Sequence, residues 1–190
     1  SMFLSCENLE NINMKIFKEN KLKNLNYVFK NCYSLKEIDL SDFEANNIEK
    51  LIGTFQNCKI LVKVNFTYFN NSKINKESNI FHYINDISYL FCGCKSLENV
   101  ILPDEMILLQ KTDYMFDGCI NLTSINLAFL KGVSKWNSAV SMFHGCSNLI
   151  EANFPDVNDT ILSDTSNIFS ECTNLKSVNL EGVKTKNINN

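Results

Sequence analysis

The chain has 190 residues and a formal net charge of −3; 45% of its residues are hydrophobic and 21% are charged. A charge so near neutral gives no electrostatic reason to expect nucleic acid or an anionic membrane surface as a partner. No apolar run approaches the ~20 residues of a transmembrane helix; no signal peptide is visible at the N-terminus, which says little because the chain begins in mid-unit.

From the N-terminus, residues 2–14 give Phe3, Cys6, Leu9, Ile12 and Met14, with Phe17 beyond them. The next stretch repeats that order with Leu22, Leu25, Phe29, Cys32, Leu35, Ile38, Leu40 and Phe43. From there Phe-x-x-Cys-x-x-Leu recurs to the end of the chain. The anchors are Cys6, Cys32, Cys58, Cys94, Cys119, Cys146 and Cys172, at steps of 26, 26, 36, 25, 27 and 26 residues. A period in this range marks units that bury their apolar face only against neighbours of the same kind. The expectation is therefore one continuous domain over residues 1–190. Met2-Phe3 takes the slot of Met115-Phe116 and Met142-Phe143, so the first copy begins in mid-unit and the chain reads as a piece of a longer array.

Spacing changes character inside each copy. Ile48, Leu51, Phe55 and Cys58 follow one another at three or four positions, which predicts a short helix or turn. After the leucine, Ile38-x-Leu40 tightens to period two and predicts a short strand. Two further columns agree with this register. Leu22, Ile48, Ile84, Leu109, Trp136 and Leu162 lie seven residues before the aromatic, which places Trp136 in the core. Leu25, Leu51, Ile87, Thr112, Ala139 and Thr165 lie four before it. The long step between Cys58 and Cys94 holds the polar run 70–79, which predicts an insertion looping out of the array. His82, in that region, reads as a solvated loop residue.

Eight cysteines would ordinarily suggest disulfides or zinc. Equivalent positions in adjacent strands lie ~4.8 Å apart with parallel side chains, whereas a disulfide needs Cβ atoms ~3.5–4.5 Å apart and turned toward each other. Zinc needs four ligands converging on a point. The column is expected to be reduced thiols serving as small hydrophobes.

The run from Cys32 to Ile48, with Thr54-Phe55-Gln56-Asn57-Cys58 after it, resembles the BspA-like leucine-rich repeat, whose unit reads roughly Met-Phe-x-x-Cys-x-x-Leu-x-x-Leu-Asp-Leu-Ser-x-Phe-x-Thr-x-x-Val. Met115-Phe116-Asp117-Gly118-Cys119-Ile120-Asn121-Leu122-Thr123-Ser124-Ile125-Asn126-Leu127 matches equally well. Leu-Ser-x-Phe is intact only at Leu40-Ser41-Asp42-Phe43. The resemblance covers essentially the whole chain. It implies an α/β fold: a right-handed leucine-rich-repeat solenoid of seven units, with a parallel β-sheet on one face and short helices or turns on the other. It further implies a non-enzymatic protein-recognition module, displayed at a cell surface or in the extracellular space and adhesin-like. An intracellular, cytoplasmic scaffold is the alternative, for which reduced thiols would be natural.

No cofactor, metal or catalytic residue is expected. The candidate binding positions follow the inward Ile or Val of each strand: Asn13, Asp39, Asn65, Asn126, Asn153 and Asn179, with Ile101 interrupting the column. Such a row either hydrogen-bonds along the stack or forms the stripe that meets a partner. A second column brings Cys92, Asp117 and His144 onto consecutive copies. There the aspartate would hold thiol and imidazole ~10 Å apart, beyond the ~3 Å reach of a general base. Asn-x-Ser/Thr triplets at Asn65, Asn70, Asn121 and Asn158 are no more than this asparagine content produces, with Asn70 and Asn158 in expected loops. Uncovered apolar edges at both ends predict end-to-end association.

Overall fold

The structure is a computed structural model and describes residues 2–14, 24–40, 48–66, 83–102, 106–157, 161–180 and 183–185. The run 70–79, His82, Asn70, Asn158, Phe17, Leu22 and Phe43 lie outside them.

The three-residue strands fall where the period-two signature ended a copy; the two-residue strands at 161–162 and 184–185 do not. They are β1 (Glu37–Asp39), β2 (Lys63–Asn65), β3 (Asn99–Ile101), β4 (Glu151–Asn153), β5 (Ile161–Leu162), β6 (Ser177–Asn179) and β7 (Lys184–Thr185). All pairs are parallel. In the β1–β2–β3 sheet Ile38, Val64 and Val100 lie in register, and Asp39, Asn65 and Ile101 lie beside them. β4 pairs with β6, matching Ala152 to Val178 and Asn153 to Asn179, and β5 pairs with β7. On another side of each copy a single-residue bridge column runs Asn24, Lys50, Asp86, Lys111, Ser138, Asp164, again parallel throughout.

The fifth copy breaks the sheet between β3 and β4. Ile125-Asn126-Leu127 obeys the strand pattern, yet the Asn126 carboxamide oxygen accepts the Ala128 N–H at 2.9 Å. That local turn leads into a 3-10 helix at Ala128–Leu130, which buries Phe129 and Leu130. An asparagine side chain offers the backbone a partner that competes with the ladder.

The spacing before each cysteine, which allowed a short helix or a turn, resolves as turns. Among the described residues these segments are chains of turns. In the second copy Val28, Lys30 and Cys32 donate their N–H groups three residues back, to Leu25, Tyr27 and Phe29. The alternate N–H groups of Leu25, Tyr27, Phe29 and Asn31 donate to Lys50, Ile52, Thr54 and Gln56 of the next copy at 2.8–3.2 Å. The switch is made by left-handed residues four apart, Tyr27 (φ 57°) and Asn31 (φ 62°), and by Gly53 with Asn57, Tyr89 with Gly93, and Tyr114 with Gly118 in later copies. An α-helix cannot continue through such residues, so every second donor turns outward to the neighbouring copy.

Apolar columns fill the interior. Phe3, Phe29, Phe55, Phe91, Phe116, Phe143 and Phe169 form one stack with successive ring centroids 5.4–5.7 Å apart and planes within 15° of parallel. Phe66 meets Phe55 edge-on, and Phe154 meets Phe143 and Phe169 the same way; both arrangements suit the ring quadrupole. Trp136 is fully buried, as its column required, and its indole N–H donates to the Thr112 hydroxyl at 3.1 Å. That bond explains why the column four before the aromatic turns polar at Thr112.

Candidate recognition face

Because Ile38, Val64 and Ala152 point into the core, their strand neighbours point out. Two parallel outward rows result. Asp39 and Asn65 stand on adjacent strands, as do Asn153 and Asn179, with Ile101 beside Asn65. Asn13 is exposed in the segment before β1. Asn126 is exposed too, but its amide is tied into the turn at Ala128 rather than held on a strand. The second row, Glu37, Lys63 and Asn99, lies beside the expected positions, where strand alternation places it on the same face. Between the rows lies a depression of about 320 Å³, edged by Asn11, Glu37, Asp39, Lys63 and Asn65 with Ile12 and Ile38. Its rim carries two carboxylates, one ammonium and two amides. That set suits hydrogen bonding to a polypeptide better than capture of a highly charged polymer.

The Cys92 column is brought into line on the turn side. The Cys92 thiol approaches Asp117 Oδ2 at 3.5 Å, and His144 Nδ1 lies 2.7 Å from Asp117 Oδ1. The row continues at both ends: Gln56 Nε2 is 3.9 Å from the Cys92 sulfur, and His144 Nε2 is 3.7 Å from Glu171 Oε1. Asp117 sits between thiol and imidazole, as expected. Burial, and then the Asp117 carboxylate, push the Cys92 thiol up to about 12, the reverse of what a nucleophile needs. No group of three or more His, Cys, Asp or Glu side chains among the described residues could hold a metal ion.

The repeat cysteines are more than apolar filler. Cys32, Cys58, Cys94, Cys119, Cys146 and Cys172 each donate the thiol proton to the main-chain carbonyl of the preceding copy's Phe, at 3.0–3.2 Å. The same carbonyl takes the N–H of the cysteine in its own copy, as when Cys32 N–H meets Phe29 O at 3.1 Å. Burial pushes these thiols up, Cys32 to about 11, and Cys94 and Cys119 in the same direction. Of the seven, Cys6 is exposed and Cys172 is half-buried, so the column is not buried throughout. Cys–Phe spacing of three residues was visible in the sequence; a hydrogen bond running to the copy before was not.

Residues 63–190 match the BspA type leucine-rich repeat region in six copies, and residues 1–88 match a family described as a Mycoplasma protein of unknown function. The chain is similar in structure to a leucine-rich repeat protein of Treponema pallidum, with a TM-score of 0.51 and 20% identity, covering 75% of this chain and 57% of that one. It is also similar to a leucine rich cell surface protein of Faecalibacterium prausnitzii, with a TM-score of 0.52 and 14% identity, covering 85% of this chain and 45% of that one. At those identities the likeness speaks for the fold alone, and the chain spans about half the length of each. No curated protein matches it. No helix among the described residues is long and apolar enough to cross a membrane.

Proposed function

Since this chain belongs to the BspA-type leucine-rich repeat family, we propose that it is a non-enzymatic recognition module that takes a protein partner on its strand face. The observation that carries this is the depression between the outward rows of β1 and β2, where Glu37, Asp39, Lys63 and Asn65 stand side by side on a backbone held by parallel pairing. A site on paired strands loses little conformational freedom when occupied. The same reading takes residues 1–190 as one right-handed solenoid of seven units, supported by the continuous phenylalanine stack and by the thiol–carbonyl bonds between copies. It places the protein at a cell surface or outside the cell, in an adhesin-like role. The Faecalibacterium protein described as a cell surface protein supports that placement. A cytoplasmic scaffold is the second reading, favoured by six cysteines serving as thiol donors.

The test immobilises the chain and compares wild type with Asp39→Arg/Asn65→Arg on extracellular-matrix and host-membrane proteins. Retention by wild type and loss by the variant, with Lys59→Glu on the turn side unchanged, supports the strand face. A partner that the strand-face variant holds as well as wild type contradicts it. Separating the two compartments needs immunolabelling of intact source cells.

A further inference from the structure

The strand ladder is interrupted at one copy in the middle of the array, with described residues on both sides of the gap. Where copies pair, the residue after the strand donates its N–H to the strand end of the next copy. Leu40 reaches Asn65 O, Phe66 reaches Ile101 O and Phe154 reaches Asn179 O, at 3.0–3.1 Å. Two bonds of that series are missing, from Leu102 to Asn126 O and from Leu127 to Asn153 O. The sheet is left in two pieces, β1–β2–β3 and β4–β6, with residues 124–127 between them and in neither. Packing loosens at the same place: Val64 and Ala152 are fully buried, whereas Val100 and Ile125, their equivalents in copies four and five, are only half-buried.

The segment has a strand's sequence, and identifiable contacts keep it off the ladder. Asn126 Oδ1 holds the Ala128 N–H at 2.9 Å. Leu127 sits at φ −93°, ψ 14°, far from the ψ of ~115° in a parallel strand. The 3-10 turn that follows buries Phe129 and Leu130. At the position of Ala128, copies four and six have Pro103 and Pro155, the chain's two prolines. A proline has no N–H for a side chain to capture, and it drives the residue before it to extended backbone. Asn153, in the slot of Asn126, accordingly stays on β4.

We propose that residues 124–127 are a latent strand, a strap latched by the Asn126 carboxamide and poised to pair with β3 and β4 so that the two pieces become one sheet. Closing turns Leu127 to extended backbone and frees the Ala128 N–H from Asn126 Oδ1. Leu102 N–H then donates to Asn126 O and Leu127 N–H to Asn153 O, and Ile125 comes into register between Val100 and Ala152. Open and closed strap present different faces, because closure sets Asn126 outward between Ile101 and Asn153. A ligand that binds the continuous face better than the broken one closes the strap by that difference in affinity. The inference uses only the chain's own pairing and holds whether or not the strand face takes a protein partner.

Amide hydrogen exchange at Leu102 and Leu127 of the 190-residue chain reads the strap, with Phe66 and Phe154 as the paired reference. In the wild type the first two should exchange at least about tenfold faster than the reference pair. Ala128→Pro removes the donor that Asn126 holds and moves Leu127 toward extended backbone. Asn126→Val removes the acceptor and sets a β-branched residue on the strand. Each should slow Leu102 and Leu127 to the rate of Phe66 and Phe154. Asn126→Asp keeps an acceptor in place and should leave both amides as fast as in the wild type. Circular dichroism checks that each variant folds. Equal protection of all four amides in the wild type would overturn the proposal, as would closing variants in which Leu102 and Leu127 stay fast. Slowing in Asn126→Asp to match Asn126→Val would remove the latch. Loss of the fold in both closing variants would also count against it, since a strap poised to close must tolerate closing.

Discussion

A thiol is a weak donor, yet in this chain it is placed where a donor is useful. The carbonyl of each repeat phenylalanine lies in an apolar interior, and a second hydrogen bond to it is supplied by the next copy's cysteine. Replacing Cys94 by Ala removes both that bond and the sulfur volume. A loss of ~1–3 kcal/mol in urea unfolding is expected, and Cys94→Ser should recover part of it. The thiols also set a pH limit. Their folded values lie above the ordinary 9.0, with burial the leading cause. The stability they contribute is therefore complete below about pH 9 and is lost as pH rises above it, by ~1.4 kcal/mol per pH unit for each thiol that ionises only when unfolded. Urea midpoints should fall steeply between pH 9 and 10.5; a flat profile would mean that the thiols are accessible in the folded chain. The sequence showed the column and its burial. It could not show the donor role, because a small hydrophobe and a thiol donor occupy the same slot.

At the scale of the element, strands were legible, whereas the spacing before each cysteine left helix and turn both open. A period of two has one structural meaning, and β1, β2 and β3 lie within a residue of where it placed them. Apolar residues three or four apart are compatible with a helix and equally with successive turns. The deciding signal was a column two after each aromatic: Ser5, Asn31, Asn57, Gly93, Gly118, Gly145 and Glu171, all at positive φ. Asparagine and glycine tolerate that conformation; glutamate does so at a cost. Glu171→Gly should raise stability by ~1 kcal/mol, since the side chain is exposed and its ion pair with His144 is long. Gly53 presents the opposite case. A Cβ there would meet the Tyr27 ring at 2.5 Å, at a φ of +56°. Gly53→Ala should cost ~1–3 kcal/mol, and Tyr27→Ala in the same chain should return the steric share, which a double-mutant cycle reads directly. The lost strand of the fifth copy had one visible hint, an asparagine two residues before Ala128, but Asn153 and Asn179 stand in equivalent slots on strands.

For the whole molecule, the order of the repeat residues was legible in the sequence, while their pairing came from the backbone. Of the expected positions, Asp39 and Asn65 are brought together at the depression, Asn153 and Asn179 pair farther along, and Asn126 is diverted into a turn. Glu37 and Lys63, which lie beside them on the same strands, join the first pair. Among the described residues the strand pairs join different copies, so a break at one should propagate to its neighbours. All of this rests on backbone donors that cross from one copy to the next. Residue-resolved amide hydrogen exchange tests that most directly. Slow exchange is predicted at Phe29, Asn31, Phe55, Asn57, Phe91, Gly93, Phe116 and Gly118, whose N–H groups all donate to the following copy. Exchange at the rate of an open loop at those amides would contradict the account.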